Sequence, residues 1–153
     1  MAGPMELQSI FPYLSVDDAA KALDFYMTVF GGEKAGPTLR APDGMIVHAE
    51  VKIGASAFFL AEASADPNGA SPLSLGGAPV RMVLDVPDVD AFMARAAEHG
   101  AEIVIEPADQ FYGYRSGRLR DPFGHVWIVS TPKEEVSEAE MQRRLDAMMG
   151  GQD

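Results

Sequence analysis

Two side chains that can exchange a proton near neutral pH, His48 and Glu50, stand two residues apart in MIVHAEVKI. On an extended chain this spacing puts both on one face, about 7 Å apart along the strand. Histidine titrates near neutrality, so the pair can act as general acid and base. The commoner fate of such a pair is a solvated stripe on an open sheet. Arg81 opens VRMVLDV, where it can hold an anion or pair with Glu50 or Asp85. Arg115, Arg118 and Arg120 crowd GYRSGRLRD. There, ion pairing with structural acids is the simpler expectation. Arg118 and Arg120 share a strand face with Tyr114 and Ser116, and Arg115 lies opposite with Gly117 and Leu119. Just upstream, QFYGY supplies Tyr112 and Tyr114 on the kind of loop that selects ligands.

Other chemistries have no residues to carry them. The chain contains no cysteine, which removes thiolate nucleophiles, disulfides and zinc–thiolate sites. There is no phosphate-binding P-loop, dinucleotide fingerprint or serine elbow. A net charge of -11 argues against nucleic acid as a partner. No apolar run approaches the roughly 20 residues that span a bilayer. The opening MAGPMELQ lacks the basic-then-apolar order of a secretory signal. A soluble cytoplasmic protein without membrane contact is expected. Its 153 residues, 47% hydrophobic and 23% charged, suit one domain with a real core.

The elements that must position these residues follow from periodicity. SIFPYLSV reads as a strand. DDAAKALDFYMTVFG reads as a helix, with Asp17 or Asp18 as N-cap, Gly31 as stop, and Ala19, Ala22, Leu23, Tyr26, Val29 and Phe30 on one face. Strands are expected around EKAGPTLR, MIVHAEVKI and SAFFLAE, with turns at PDG and GAS. Residues 63–79 have the composition of a linker or mobile loop. The pattern then restarts. VRMVLDV is a strand, DVDAFMARAAEHG a helix capped by Asp88 that buries Val89, Phe92, Met93 and Ala96, and AEIVIE, GYRSGRLR and HVWIVS three strands. Val16 and Asp18 match Val86 and Asp88 at an offset of 70, and Gly31 and Glu33 match Gly100 and Glu102 at 69. Such an internal repeat predicts two similar modules, about 8–63 and 79–131, joined by the linker into one domain. KEEVSEAEMQRRLDAMMGG reads as a further helix over about 136–149, with Ser137 and Glu140 as a capping box. Its stripe of Val136, Met141, Leu145 and Met148 either packs on its own domain or meets a second copy.

LSVDDAAKALDFYMTVFGGE, HAEVKIGASAFFL, VPDVDAFMARAAEHGAE and GYRSGRLRDPFGHVW resemble the vicinal oxygen chelate superfamily, which contains glyoxalase I, the bleomycin-resistance proteins and the extradiol dioxygenases. The small PhnB-like branch is the most similar. The likeness implies an α+β fold: two βαβββ modules form a curved mixed sheet around a cup-shaped pocket, with a C-terminal helix added. It implies a homodimer. It also implies four strand positions that hold a divalent ion in metal-dependent members. Here they fall on Phe11, Phe59, Arg81 and Ile128. None of these side chains donates to a hard or borderline cation, so neither metal nor other cofactor is expected.

Alternation then sorts each strand. Val47, Ala49, Val51 and Ile53 should lie under a helix, leaving His48, Glu50 and Lys52 in the cup. Met82, Leu84 and Val86 should face a helix, leaving Arg81, Val83 and Asp85 inward. Ile10 and Leu14 should take the helix side of the first strand, and Phe11 and Tyr13 the cup. His125 and Trp127 should lie opposite Ile128. The expected ligand-binding set is Phe11, Tyr13, His48, Glu50, Phe59, Arg81, Tyr112, Tyr114 and Ile128, with His48 and Glu50 as candidate catalytic groups. That set predicts a metal-independent protein that binds or sequesters a small aromatic or amphipathic ligand. The alternative is a glyoxalase-type lyase or isomerase acting on a small carbonyl compound.

Overall fold

Asp18 and Asp88 open the two long helices in the same way. Each has extended backbone, and its carboxylate accepts from the amide three residues on, Lys21 at 3.0 Å and Ala91 at 3.1 Å. Helix α1 then runs over Ala19–Thr28 and helix α3 over Val89–Glu98. Gly31 follows α1 at φ 69°, a backbone only glycine adopts without strain. These are features of a computed structural model that describes residues 8–150. The chain divides into two compact units, Met1–Leu75 and Gly76–Asp153.

The first unit contains β1 (Tyr13–Val16), α1, β2 (Glu33–Lys34), β3 (Leu39–Arg40), β4 (Ile46–Ile53), β5 (Ser56–Glu62) and the short helix α2 (Pro72–Leu75). Its sheet runs β1-β5-β4-β2, with β3 also on β4 and β1 parallel to β5. The second unit contains β6 (Arg81–Asp85), α3, β7 (Glu102–Asp109), β8 (Tyr114–Arg120), β9 (Val126–Pro132) and α4 (Glu138–Gly150). Its sheet runs β6-β9-β8-β7, with β6 parallel to β9. The fold is therefore α+β, and each unit carries its own mixed sheet; the second has the βαβββ order that the repeat predicts, while in the first the strand expected at EKAGPTLR is split into β2 and β3, so four strands follow the helix.

Each sheet sorts its side chains by rung. In the first unit Leu14, Leu60 and Ala49 stand across three neighbouring strands, and all three are buried on the α1 side. They meet Phe25, Tyr26 and Phe30, whose rings pack within 5.6 Å of one another; Phe58 joins Tyr26 at 5.1 Å. Phe25 thus belongs to the buried helix face, and Leu23 only partly. In the second unit Leu84, Val129 and Gly117 form the equivalent rung. A Cβ on Gly117 would come within 2.9 Å of the Ile105 carbonyl and press on the Met93 thioether, so the missing side chain lets α3 lie close to β8.

Several expectations need correction. The first strand is shorter than SIFPYLSV, because Pro12 offers no amide to a ladder. Ile10 precedes any strand pairing and is 93% exposed, not on the helix face. Alternation also fails at Val47. Between Arg40↔Ile46 and Leu39↔His48 the ladder with β3 steps two residues on β4 for one on β3, a bulge. Ile46 is buried in its place and Val47 is exposed. Residues 63–79 are not a featureless linker. Pro72–Leu75 is helical, and the buried Ser71 hydroxyl donates to the Asp17 carboxylate. Phe92 is half-buried, while Val89, Met93 and Ala96 are buried as expected. Among the described residues, no helix is long and apolar enough to cross a membrane.

Candidate functional site

The rung next to the buried one in the first unit faces the open side of the sheet. It consists of Tyr13 on β1, Phe59 on β5 and Glu50 on β4, direct cross-strand neighbours in that order. Phe59 is its hub. Phe11 stacks on it at 5.1 Å between ring centres, Tyr13 meets it edge-on at 5.8 Å, and His48 lies 5.2 Å away. Five of the expected ligand-binding residues, Phe11, Tyr13, His48, Glu50 and Phe59, are therefore gathered on one surface.

His48 and Glu50 are not a loose solvated stripe. Their side chains are only 21% and 24% exposed, and His48 Nε2 lies 2.9 Å from Glu50 Oε2. On the other side of the ring, His48 Nδ1 lies 2.8 Å from the Tyr13 hydroxyl. A carboxylate can only accept, so a neutral His48 facing it must carry its proton on Nε2. Nδ1 is then an acceptor at 2.8 Å from the Tyr13 hydroxyl, which also donates toward the Val47 carbonyl at 3.3 Å. Both ring nitrogens are thus engaged within the chain Tyr13–His48–Glu50, and its outer member is Tyr13, a residue 54% exposed. Partial burial, and next the Glu50 carboxylate, hold the Tyr13 phenol above its ordinary range, so it stays protonated at neutral pH.

Gly36 sets the position of the carboxylate. A Cβ there would sit 2.7 Å from Glu50 Oε1. Gly36→Ala is expected to push Glu50 off His48 without unfolding the chain, since a flexible carboxylate can swing aside. The measurement is the imidazole ¹⁵N spectrum, in which the Nε2–H signal should broaden toward a mixture of tautomers. An unchanged spectrum would show that Glu50 does not depend on that space.

Beside Tyr13 lies an open cavity of about 580 Å³, lined among others by Ser15, Val47, Glu62, Asp66 and Asn68. The bulge in β4 is what turns Val47 toward it. The volume falls within the range of small-molecule sites.

The remaining expected residues all lie in the second unit. Tyr112 and Ile128 line one cavity of about 140 Å³. Tyr112 and Tyr114, with ring centres 5.9 Å apart, line a wider hollow of about 950 Å³ beside residues 132–137 and Met141. Arg81 starts the edge strand β6, opposite Val126, and is exposed; among the described residues its side chain makes no hydrogen bond or ion pair, so it does not pair with Asp85. Arg115 binds Asp90 through two hydrogen bonds of 2.7 and 3.0 Å and reaches Asp109. The hydrogen bond from its guanidinium is the main cause that lowers the Asp90 carboxyl below the usual carboxylate value. Arg120 pairs with Glu102 at 2.5 Å rather than with neighbouring Asp121. Ion pairing thus accounts for two of the three arginines. It does not account for Arg118, whose cross-strand neighbours are Ile105 and Ile128.

The resemblance implies ion-holding positions at Phe11, Phe59, Arg81 and Ile128; in the first unit Phe11 and Phe59 are rings stacked on each other, and in the second Arg81 is a cation and Ile128 an alkyl group, so none of these side chains is itself a donor to a divalent metal. Among the described residues no group of three or more His, Cys, Asp or Glu side chains converges as a metal site.

Residues 7–129 match the family model described as the Glyoxalase/Bleomycin resistance protein/Dioxygenase superfamily. An uncharacterized protein of Mycobacterium tuberculosis is 38% identical over 146 residues, covering 94% of this chain and 85% of that one. A gene product of Arabidopsis thaliana has a crystal structure that aligns with TM-score 0.65 and 27% identity, over 82% of this chain and 99% of that one. A PhnB protein from Bacillus cereus, a putative 3-demethylubiquinone-9 3-methyltransferase, shares the fold with TM-score 0.63 at 17% identity, over 81% and 99% of the two chains.

Proposed function

The chain belongs to the glyoxalase/bleomycin resistance protein/dioxygenase superfamily, and within it we propose a protein that binds a flat aromatic or amphipathic molecule without need of a metal. The observation that carries this is the aromatic surface around Phe59, bordered by a hydrogen-bonding chain that ends at the Tyr13 oxygen. A planar ring can stack on exposed aromatic faces, each pair contributing about 0.5–1.5 kcal/mol beyond the area it buries. With its proton directed to His48 and the Val47 carbonyl, the Tyr13 oxygen offers lone pairs to a ligand hydroxyl or amine. The adjoining cavity has room for the rest of the molecule.

The Tyr13–His48–Glu50 chain also supports the enzymatic alternative, a lyase or isomerase working on a small carbonyl compound. In that case Tyr13, not His48 or Glu50, would touch the reacting atoms; its raised pKa keeps it protonated, and to act as a proton donor its hydroxyl would turn from His48 to the substrate.

One experiment separates the two. The full-length protein is incubated with 2-naphthol and, separately, with small α-keto aldehydes. Calorimetry then measures binding, and chromatography looks for product. Saturable heat from 2-naphthol with no product from either class is the expected result. Phe59→Ala should weaken 2-naphthol about tenfold, the loss of one stacked ring and its area. Product formation that disappears in Tyr13→Phe would establish the lyase or isomerase instead.

We further propose that the protein acts as a homodimer. What supports this is α4: none of its side chains is buried, and Met148 and Met149 are 56% and 73% exposed. Light scattering on the purified chain reads the mass directly.

A further inference from the structure

The rung Tyr13–Phe59–Glu50 has a counterpart in the second unit. Val83 on β6 stands beside Ile128 on β9, Ile128 beside Arg118 on β8, and Arg118 beside Ile105 on β7. Where the first unit carries a carboxylate, the second carries a guanidinium. Arg115 and Arg120 on the same strand face Asp109 and Glu102 across the ladder, and each binds its partner. Arg118 faces isoleucines on both sides. Its Nε is buried and has no hydrogen-bond partner. No other hydrogen bond or ion pair holds its guanidinium among the described residues. An unpartnered donor on a charged group costs more to bury than one on a neutral group.

The cavity of about 140 Å³ against Arg118 is lined by Ile105, Gln110, Tyr112, Ser116 and Ile128. It contains no acidic side chain. The hydroxyls of Tyr112 and Ser116 are 2.9 Å apart, so one of their two protons is shared between them and the other is free to donate. Gln110 uses one amide hydrogen on the Ala108 carbonyl at 3.3 Å and keeps the second. Guanidinium, hydroxyl and amide donors thus line one recess whose remaining walls are two isoleucines and Gly117.

We propose that this recess binds a small monocarboxylate, with Arg118 as the anion-binding residue and Ile105 and Ile128 receiving the alkyl part. A planar carboxylate matches the fork of a guanidinium, and a single charge on an apolar stem matches the walls better than a doubly charged tetrahedral anion does. At about 30 Å³ per water the volume holds the equivalent of four or five waters, enough for a short acid such as butyrate. This site shares no residue with the aromatic surface, so either proposal can fail without the other.

The test follows the arginine Nε–H resonances of the intact protein by ¹H–¹⁵N NMR during titration with butyrate, inorganic phosphate and chloride. Butyrate should shift the Arg118 signal saturably, with a Kd of about 1–10 mM. Phosphate should act more weakly and chloride not at all. Arg118→Gln should weaken butyrate binding at least tenfold by calorimetry, and Arg120→Gln should leave it unchanged. Absence of a saturable shift overturns the proposal, as does undiminished binding by Arg118→Gln. Phosphate binding as tightly as butyrate overturns the carboxylate assignment. If Arg118→Gln fails to fold, the wild-type resonance still decides.

Discussion

Replacing Asp121 by alanine is expected to destabilise the protein by about 4 kcal/mol, because three buried donors lose their acceptor together. The Asp121 carboxylate is 3% exposed. One oxygen accepts from the amides of Phe123 at 2.9 Å and His125 at 3.0 Å, and the other accepts from the Trp127 indole at 2.9 Å. The backbone closes the same turn, with the Asp121 amide donating to His125 at 2.8 Å and the Gly124 amide to Asp121 at 3.0 Å. Each stranded donor costs about 1–3 kcal/mol, less what water recovers on entering. Asp121→Asn keeps the shape and one acceptor oxygen but turns an amide group toward one set of donors, so it should lose about half as much. Urea denaturation followed by Trp127 fluorescence measures both, since the indole reports on the turn itself. A loss below about 1 kcal/mol for the alanine variant would mean that the turn closes without its carboxylate.

Gly113→Val is expected to detach the C-terminal helix while leaving the sheets intact. Gly113 has φ 93°, which a β-branched residue adopts only under strain of about 1–3 kcal/mol. A Cβ there would also collide with the Glu134 carbonyl and touch Val136. Its own carbonyl accepts from the Lys133 and Glu134 amides at 2.9 and 3.0 Å, so the glycine fastens the segment that leads into α4. Little else holds that helix. Arg144 donates to the Phe111 carbonyl and to Glu134, both at 2.9 Å, and no α4 side chain is buried. Hydrogen exchange over 141–149 should accelerate roughly a hundredfold, about 3 kcal/mol of local opening, while β8 and β9 stay protected. Equal protection in variant and wild type would place the anchor elsewhere.

Elements with a local cause were legible in the sequence. Asp18 and Asp88 cap helices because their carboxylates reach amides three residues on. The strand–helix–strands order repeats because the same caps and turns repeat, although one expected strand of the first unit is split into β2 and β3. The half capping box at α4 shows the limit of such signals. Ser137 accepts from the Glu140 amide at 3.2 Å as predicted, but the Glu140 carboxylate pairs with Arg143 and Arg144 instead of turning back. Features that depend on the neighbouring strand were not legible. The bulge at Val47 follows from pairing with the two-residue strand β3, and Ile105 lies opposite Arg118 only because β7 bulges on both sides of it. Pro107, which cannot donate to a ladder, lies within the second of these irregularities. For this reason the sequence alone predicts ion pairing at Arg118. Its type and spacing match those of Arg120, and only register separates an arginine facing Glu102 from one facing Ile105. The Tyr13–His48 contact was hidden too, since it joins residues on β1 and β4, which β5 separates.

The paired rungs bear on how such a chain can change over time. Tyr13, Phe59 and Glu50 occupy the same places in one copy of the repeat that Val83, Ile128 and Arg118 occupy in the other. A duplicated scaffold has two sets of equivalent positions, and a substitution in one copy leaves the other's chemistry intact. One copy carries rings and a carboxylate there, the other alkyl groups and a guanidinium, while in both the neighbouring rung is small or apolar and seats the helix. Selection acting on either open face meets little resistance from the core, because the residues that recognise a ligand and the residues that hold the fold alternate along the same strands.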